Sequence, residues 1–189
     1  MNQTEKKKKA ILDTTFQLLN EKEIKDITID EIAQKAVVSK VTLFKYFQNK
    51  NYLMNLVILN AFEFMAQQIQ EIIGSSLDFE ATYRAITAMK LEQVKRFSLI
   101  FQENLMTQYT ISPDFFEMEN IQMTQLDIYR SLFQKGYAEG KIAPDVTEED
   151  FLFILHIFTE GMKGIEASFL FEKADFLTRF FLNGFKKEE

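Results

Sequence analysis

Thr28-Ile29-Asp30-Glu31-Ile32-Ala33-Gln34-Lys35-Ala36-Val37-Val38-Ser39-Lys40-Val41-Thr42-Leu43-Phe44-Lys45-Tyr46-Phe47 holds two helix starts eleven residues apart. Thr28 and Glu31 have the spacing of a capping box, in which the hydroxyl accepts the Glu31 backbone N–H and the carboxylate reaches back to the cap. Ile27 and Ile32 stand at the staple positions on either side of it. Ser39 repeats the signal, with Val38 and Leu43 at the same offsets. Between them lie only Ala36, Val37 and Val38. The pattern therefore predicts two short helices meeting at a tight bend, with Ile32, Ala33, Val37, Leu43 and Phe47 closing a miniature core.

With Leu43 and Phe47 turned inward, the second helix offers Lys40, Thr42, Lys45 and Tyr46 outward. A helix of this kind fits the major groove of DNA, which admits it and distinguishes all four base pairs. Lys40 and Val41, near its start, are best placed for base edges: the ammonium can donate to guanine O6 and N7, and the valine can pack on a thymine methyl. Thr42, Lys45, Tyr46 and Lys50 suit phosphate, which fixes position and affinity but carries little sequence information.

Outward from this segment, the rest of the chain also reads as helical. It has 189 residues with two Pro and six Gly, and apolar residues recur at helical intervals almost throughout. A first helix is predicted over about 6–20, with Ile11, Thr15, Leu18 and Leu19 on one face. Others are predicted over about 50–73, 79–108 with a possible break near Arg96, and 115–135. Gly136, Gly140 and Pro144 mark a connecting loop. Thr147 then caps a helix with Glu148, Glu149 and Asp150 in its first turn, and a last helix spans about 173–187.

Charge is divided unevenly. Residues 1–50 carry 10 Lys against 7 Asp or Glu, whereas the whole chain has a formal net charge of −6. The basic end is the end that would meet phosphate. The chain has no Cys and a single His, His156, so disulfides, thiolate metal sites and the usual histidine ligand sets are excluded. No nucleophile motif or phosphate-binding glycine loop stands out, and the expectation is a protein without catalytic, metal or cofactor sites. No apolar run approaches the roughly 18 residues of a membrane span, and no signal-peptide core follows the basic start, so a soluble cytoplasmic protein is expected.

The pattern I-x-x-x-x-F-x-L-L from Ile11, followed by T-I-D-E-I-A-x-x-A-V-V-S-K-V-T-L-F-K-Y-F-x-N-K-x-x-L from Thr28, resembles the N-terminal domain of the TetR/AcrR family of transcriptional regulators. The resemblance implies an all-α fold, with a three-helix DNA-binding domain over 1–49 and a helical ligand-binding and dimerisation domain over 50–189. It implies DNA contacts from Thr28, Ser39, Lys40, Val41, Thr42, Phe44, Lys45, Tyr46 and Lys50. Three positions depart from the family pattern. The family usually carries Gly where Val37 stands; valine fits a helix start or an extended turn, so the fold should hold with a slightly altered turn. Many members have a small residue at Val41. Most have Tyr at Phe44, and losing that phenol leaves more of the affinity to the lysines.

The resemblance also implies a ligand cavity among the central helices, for which Phe62, Met65, Met89, Phe97, Phe101, Tyr109, Met123 and Tyr129 are candidates, most suited to a lipophilic molecule. The two terminal helices would leave a large apolar surface on a monomer. Phe153, Ile157, Gly161, Gly164, Phe176 and Phe180 are candidates for a twofold dimer interface. The sequence thus points to a homodimeric repressor of a near-palindromic double-stranded operator, answering to a small molecule. A non-catalytic helical carrier of lipophilic molecules is the alternative.

Overall fold

The computed structural model describes residues 2–112 and 119–186, apart from the side chains of residue 64 and residues 119–124. Among these residues all regular structure is helical: α1 (Gln3–Glu21), α2 (Ile29–Lys35), α3 (Lys40–Tyr46), α4 (Lys50–Asn60), α5 (Glu63–Ile73), α6 (Phe79–Lys95), α7 (Leu99–Ile111), α8 (Glu119–Ala138), α9 (Glu148–Gly161) and α10 (Ala167–Gly184). The all-α expectation holds. The chain divides into two compact units, one formed by Met1–Glu63 and Lys95–Phe115, the other by Phe64–Val94 and Phe116–Glu189.

In the first unit α1 packs against α2, α3, α4 and α7. Its buried face is Ile11, Thr15, Leu18 and Leu19, the stripe expected from periodicity. Thr15 lies in this apolar face without an orphaned hydroxyl, because Oγ1 donates to the Ile11 carbonyl at 2.8 Å. The end of α1 is fastened by α7. Buried Asn104 donates from Nδ2 to the carbonyls of Leu19 and Lys22, both at 2.9 Å, and accepts the Ile24 N–H at 2.8 Å. These bonds satisfy carbonyls that a helix end leaves without intrahelical partners. The other end of α7 meets α4, where Asn51 and Asn55 both donate from Nδ2 to Ser112 Oγ, at 3.0 and 2.7 Å.

The second unit is organised around Phe151. Its ring contacts those of Phe133, Phe181 and Phe185, with centroids 5.5, 5.7 and 4.9 Å away. Ile69, Phe79, Ile86, Leu132 and Ile142 extend the same core. Gly136 lets α8 pass close to it: a Cβ there would stand 2.8 Å from Phe79 and Ile142 side-chain atoms.

Two helix limits differ from those expected, and one expected break forms. The helix over 50–73 is two helices, interrupted where Ala61 N–H bonds to Val57 O at 3.2 Å and Phe62 N–H to Leu59 O at 3.0 Å. This tightening turns Phe62 onto Phe97, centroids 5.2 Å apart. The break near Arg96 is real, and Ser98 caps α7 by accepting the Phe101 N–H at 3.0 Å. The last helix starts at Ala167 rather than 173; its N-cap, Glu166, makes no side-chain cap bond, so the sequence carries no start signal there.

Candidate nucleic-acid interface

The two caps of the 28–47 segment form as expected. Thr28 Oγ1 accepts the Glu31 N–H at 3.1 Å, and Ser39 Oγ accepts the Thr42 N–H at 3.1 Å. Ile27, Ile32, Ala33, Leu43 and Phe47 are buried. The reciprocal half of the first capping box is absent. The Glu31 carboxylate instead meets Lys22 Nζ at 2.7 Å, with Lys35 at 3.4 Å. The hydrogen bond from Lys22 holds Glu31 below its ordinary carboxylate value.

Val37 also departs from expectation. It is 89% exposed rather than part of the miniature core, and its φ of 55° lies in the left-handed region, not in a helix start or an extended turn. The geometry is that of a Schellman motif. Val38 N–H bonds to Ala33 O at 2.9 Å and Val37 N–H to Gln34 O at 3.2 Å, which requires a left-handed residue between them. This position favours glycine, because a β-branched side chain crowds the backbone there.

On α3, Leu43 is buried while Lys40, Val41, Phe44 and Lys45 are exposed and Thr42 and Tyr46 half-buried. Most of the polar groups already have partners. Lys40 Nζ stands 2.6 Å from Asp30 Oδ1 of α2. Thr42 Oγ1 is 2.9 Å from Ser39 Oγ. Lys8 of α1 places its ammonium 5.5 Å from the centre of the Tyr46 ring. Lys50 Nζ donates to the Ile24 carbonyl at 2.7 Å, and burial lowers its pKa from the ordinary lysine value, partly offset by Asp26. Lys8 and Asp30 were not legible as members of this surface. Asp30 precedes Lys40 by ten residues across the bend, and Lys8 belongs to a lysine run that reads simply as solvated.

The family profile described as bacterial regulatory proteins, tetR family, matches residues 11–57, which run from the second half of α1 through most of α4 and contain the whole helix-turn-helix. These residues form a DNA-binding domain of the TetR family of transcriptional regulators. The chain is 29% identical over 142 residues to the HTH-type transcriptional regulator YhgD of Bacillus subtilis, covering 73% of each chain. The fold is similar to that of the transcriptional regulator FadR from Bacillus subtilis in complex with stearoyl-CoA, with a TM-score of 0.68, 14% identity, and 93% and 97% of the two chains covered. A tetR family transcription regulator from Shewanella sp. PV-4 gives a TM-score of 0.64 at 20% identity, over 96% and 99% of the chains. TetR-family proteins are transcription factors rather than enzymes, and this one acts by binding DNA.

Elsewhere in the chain, the aromatic and methionine candidates fall in both units. Phe62, Phe97, Phe101 and Tyr109 are in the first, where Phe101 is fully buried and stacks on Phe97 with centroids 4.6 Å apart. Met65, Met89 and Tyr129 are in the second, where Met89 and Tyr129 pack partly buried against the Phe151 core. The Met123 side chain lies outside the described residues. An open apolar hollow of about 470 Å³ lies between α9 and α10, lined by Ile157, Phe158, Phe169 and Phe176 among others, and none of the seven described candidates lines it.

The residues singled out on the terminal helices do share an exposed surface. Phe153 and Phe180 are each 60% exposed, and Ile157 and Phe176 are exposed beside the hollow, whose wall includes Gly161. Gly164, with φ of 76°, lies in the turn after α9, and added Cβ atoms at Gly161 or Gly164 would meet nothing within 4 Å in this chain. His156 is exposed on the same helix. Among the described residues no helix is long and apolar enough to cross a membrane, and no cluster of His, Cys, Asp or Glu could hold a metal ion.

Proposed function

We propose that the protein is a homodimeric, ligand-responsive repressor whose two α3 helices enter successive major grooves of a near-palindromic operator. The observation that carries the dimer is the exposed aromatic surface of α9 and α10, comprising Phe153, Ile157, Phe169, Phe176 and Phe180. A contiguous surface of this kind marks an interaction site, and a twofold pairing of identical helices is the simplest closure. It also serves the DNA: helix-turn-helix dimers need recognition helices about 34–36 Å apart, or multiples of that spacing.

Within that dimer, Lys40 and Val41 address base edges, Thr28, Ser39, Thr42, Lys45, Tyr46 and Lys50 position the duplex through its backbone, and Phe44 faces it without a phosphate hydrogen bond. Functionally the chain divides at 49/50, into a reader and a helical part that binds the ligand and the second subunit. Binding of a lipophilic small molecule, with Met65, Met89 and Tyr129 among the candidate lining residues, is supported by the similarity to FadR, which was solved with stearoyl-CoA. Such a ligand shifts DNA binding only by its differential affinity for the two conformations.

Footprinting on the protein's own upstream region, with light scattering of the free and DNA-bound protein, tests this reading. Two symmetry-related protected half-sites and a dimer mass are expected, with protection relieved by an acyl-CoA or another lipophilic compound. A monomer at micromolar concentration that protects no symmetric site would overturn it.

A further inference from the structure

Among the described residues from 2 to 63, the exposed large apolar side chains are Val37, Val41 and Phe44. All three lie within eight residues of the helix-turn-helix. Single exposed apolar residues scattered over a surface need no explanation; α7 of the same unit exposes Leu99, Ile100 and Ile111, but over residues 2–63 the exposed ones are confined to the helix-turn-helix. Val37 is the extreme case: it is 89% exposed and held at a φ that disfavours valine, so packing within the chain does not account for it.

The polar complement of α3 narrows what these side chains can do. From Lys40 to Tyr46 there is no Arg, Asn, Gln, Asp or Glu, which leaves Lys40, Lys45 and the hydroxyls of Thr42 and Tyr46 as the hydrogen-bonding side chains available to base edges. The Thr42 hydroxyl is shared with Ser39, and the Lys40 ammonium with Asp30. In the major groove the apolar group that a base edge presents is the thymine methyl. Lys40 and Lys45, on the same short helix, supply the positive charge that brings such a surface against a duplex.

We propose that Val37 and Val41 read thymine methyl groups, which makes Val37 a specificity-determining residue and the operator half-site thymine-dependent. Phe44, three residues beyond Val41 and so on the same side of the helix, extends the apolar surface. The proposal rests on α3 being the recognition helix and adds the chemical group it reads.

The test uses the full-length protein. A preferred duplex is selected from a random-sequence pool, and each thymidine of its half-site is then replaced in turn by deoxyuridine. That exchange removes one methyl and leaves base pairing and every hydrogen-bonding group in place. Desolvating one methyl corresponds to about four-fold in affinity, so a loss near four-fold is expected at two positions of each half-site. Val41→Ala should equalise the thymidine and deoxyuridine duplexes at one of these positions, and Val37→Gly, which the left-handed backbone accepts, at the other. A preferred duplex whose deoxyuridine scan stays within 1.5-fold throughout, on the order of assay scatter against the expected methyl contribution, overturns the proposal. So do variants that lose affinity equally for both duplexes, which would place the valines against sugar or phosphate. Failure to enrich any duplex overturns the recognition-helix reading itself, and the methyl proposal with it.

Discussion

Lys40 of α3 and Asp30 of α2 are paired across the bend of the helix-turn-helix at 2.6 Å, with both side chains largely exposed. The side chain best placed to reach a base is therefore held, in the absence of DNA, by a carboxylate on the neighbouring helix. An exposed pair like this contributes only about 0–1 kcal/mol to folding, so its main consequence concerns DNA. Asp30→Asn should leave thermal stability nearly unchanged while strengthening binding to random duplex more than to the operator, because a released lysine binds any phosphate. Fluorescence anisotropy on both duplexes over a series of salt concentrations measures this, and the non-specific complex should become more salt-dependent. An unchanged ratio of operator to random affinity would show that Asp30 has no hold on how Lys40 is used.

Val37→Gly tests the strained turn. A left-handed backbone costs a β-branched residue roughly 1–2 kcal/mol. Glycine removes that strain but adds conformational freedom to the unfolded chain, worth about 0.5–1 kcal/mol the other way. A net gain of about 0.5–1 kcal/mol is expected, seen as a rise of a few degrees in the melting temperature. Loss of thymine discrimination should accompany it, so that stability and specificity move in opposite directions.

What the sequence shows of this molecule depends on whether the deciding interaction is local. The caps at Thr28, Ser39 and Thr147 and the buried stripe of α1 follow from spacings of three or four residues, and all appear as read. The break after Asn60 was hidden because apolar periodicity continues through it; Phe62, at the break, meets Phe97, 35 residues away in sequence. The Glu31 half of the capping box failed for a related reason, since Lys22 outcompetes the backbone for that carboxylate. At Val37 the residue type itself misled. The bend needs a left-handed residue, and valine gives no hint of one.

If α9 and α10 form the dimer interface, placing a charge on their exposed aromatic surface should separate the subunits. Phe180→Glu and Phe153→Glu each alter a side chain that is 60% exposed in the single chain, so folding of the subunit should be unaffected. Analytical ultracentrifugation should show a monomer, with loss of operator binding by at least ten-fold, because two recognition helices held together bind far more tightly than one alone. Variants that remain dimeric would move the interface elsewhere.

Gly136→Ala probes the packing of the second unit. The new methyl would lie 2.8 Å from the buried side chains of Phe79 and Ile142, closer than unstrained carbons approach. Overpacking of this kind costs typically 1–3 kcal/mol. Chemical denaturation should show that loss, and Gly136→Ala combined with Ile142→Val should recover part of it by making room for the methyl.

The start of α9 gives a pH dependence with a defined sign. Thr147 Oγ1 accepts the Asp150 N–H at 3.1 Å, while the Asp150 carboxylate accepts from the Thr147 N–H at 3.0 Å and from its hydroxyl at 2.6 Å. The side-chain hydrogen bond from Thr147, followed by the backbone one, lowers the Asp150 pKa in the folded protein. A carboxyl with a depressed folded pKa stabilises the fold fully above its unfolded value, near 4, and loses that contribution as pH falls through the folded value. Glu31, lowered chiefly by its bond from Lys22, acts in the same direction. Melting temperatures should therefore decline as pH is lowered below about 4. In Thr147→Ala the side-chain cap is lost at neutral pH, at a cost of about 1 kcal/mol, and the acid decline should be shallower because Asp150 keeps only the backbone hydrogen bond and gains less from ionising. A variant that declines as steeply as the parent would remove Asp150 as a source of the acid sensitivity.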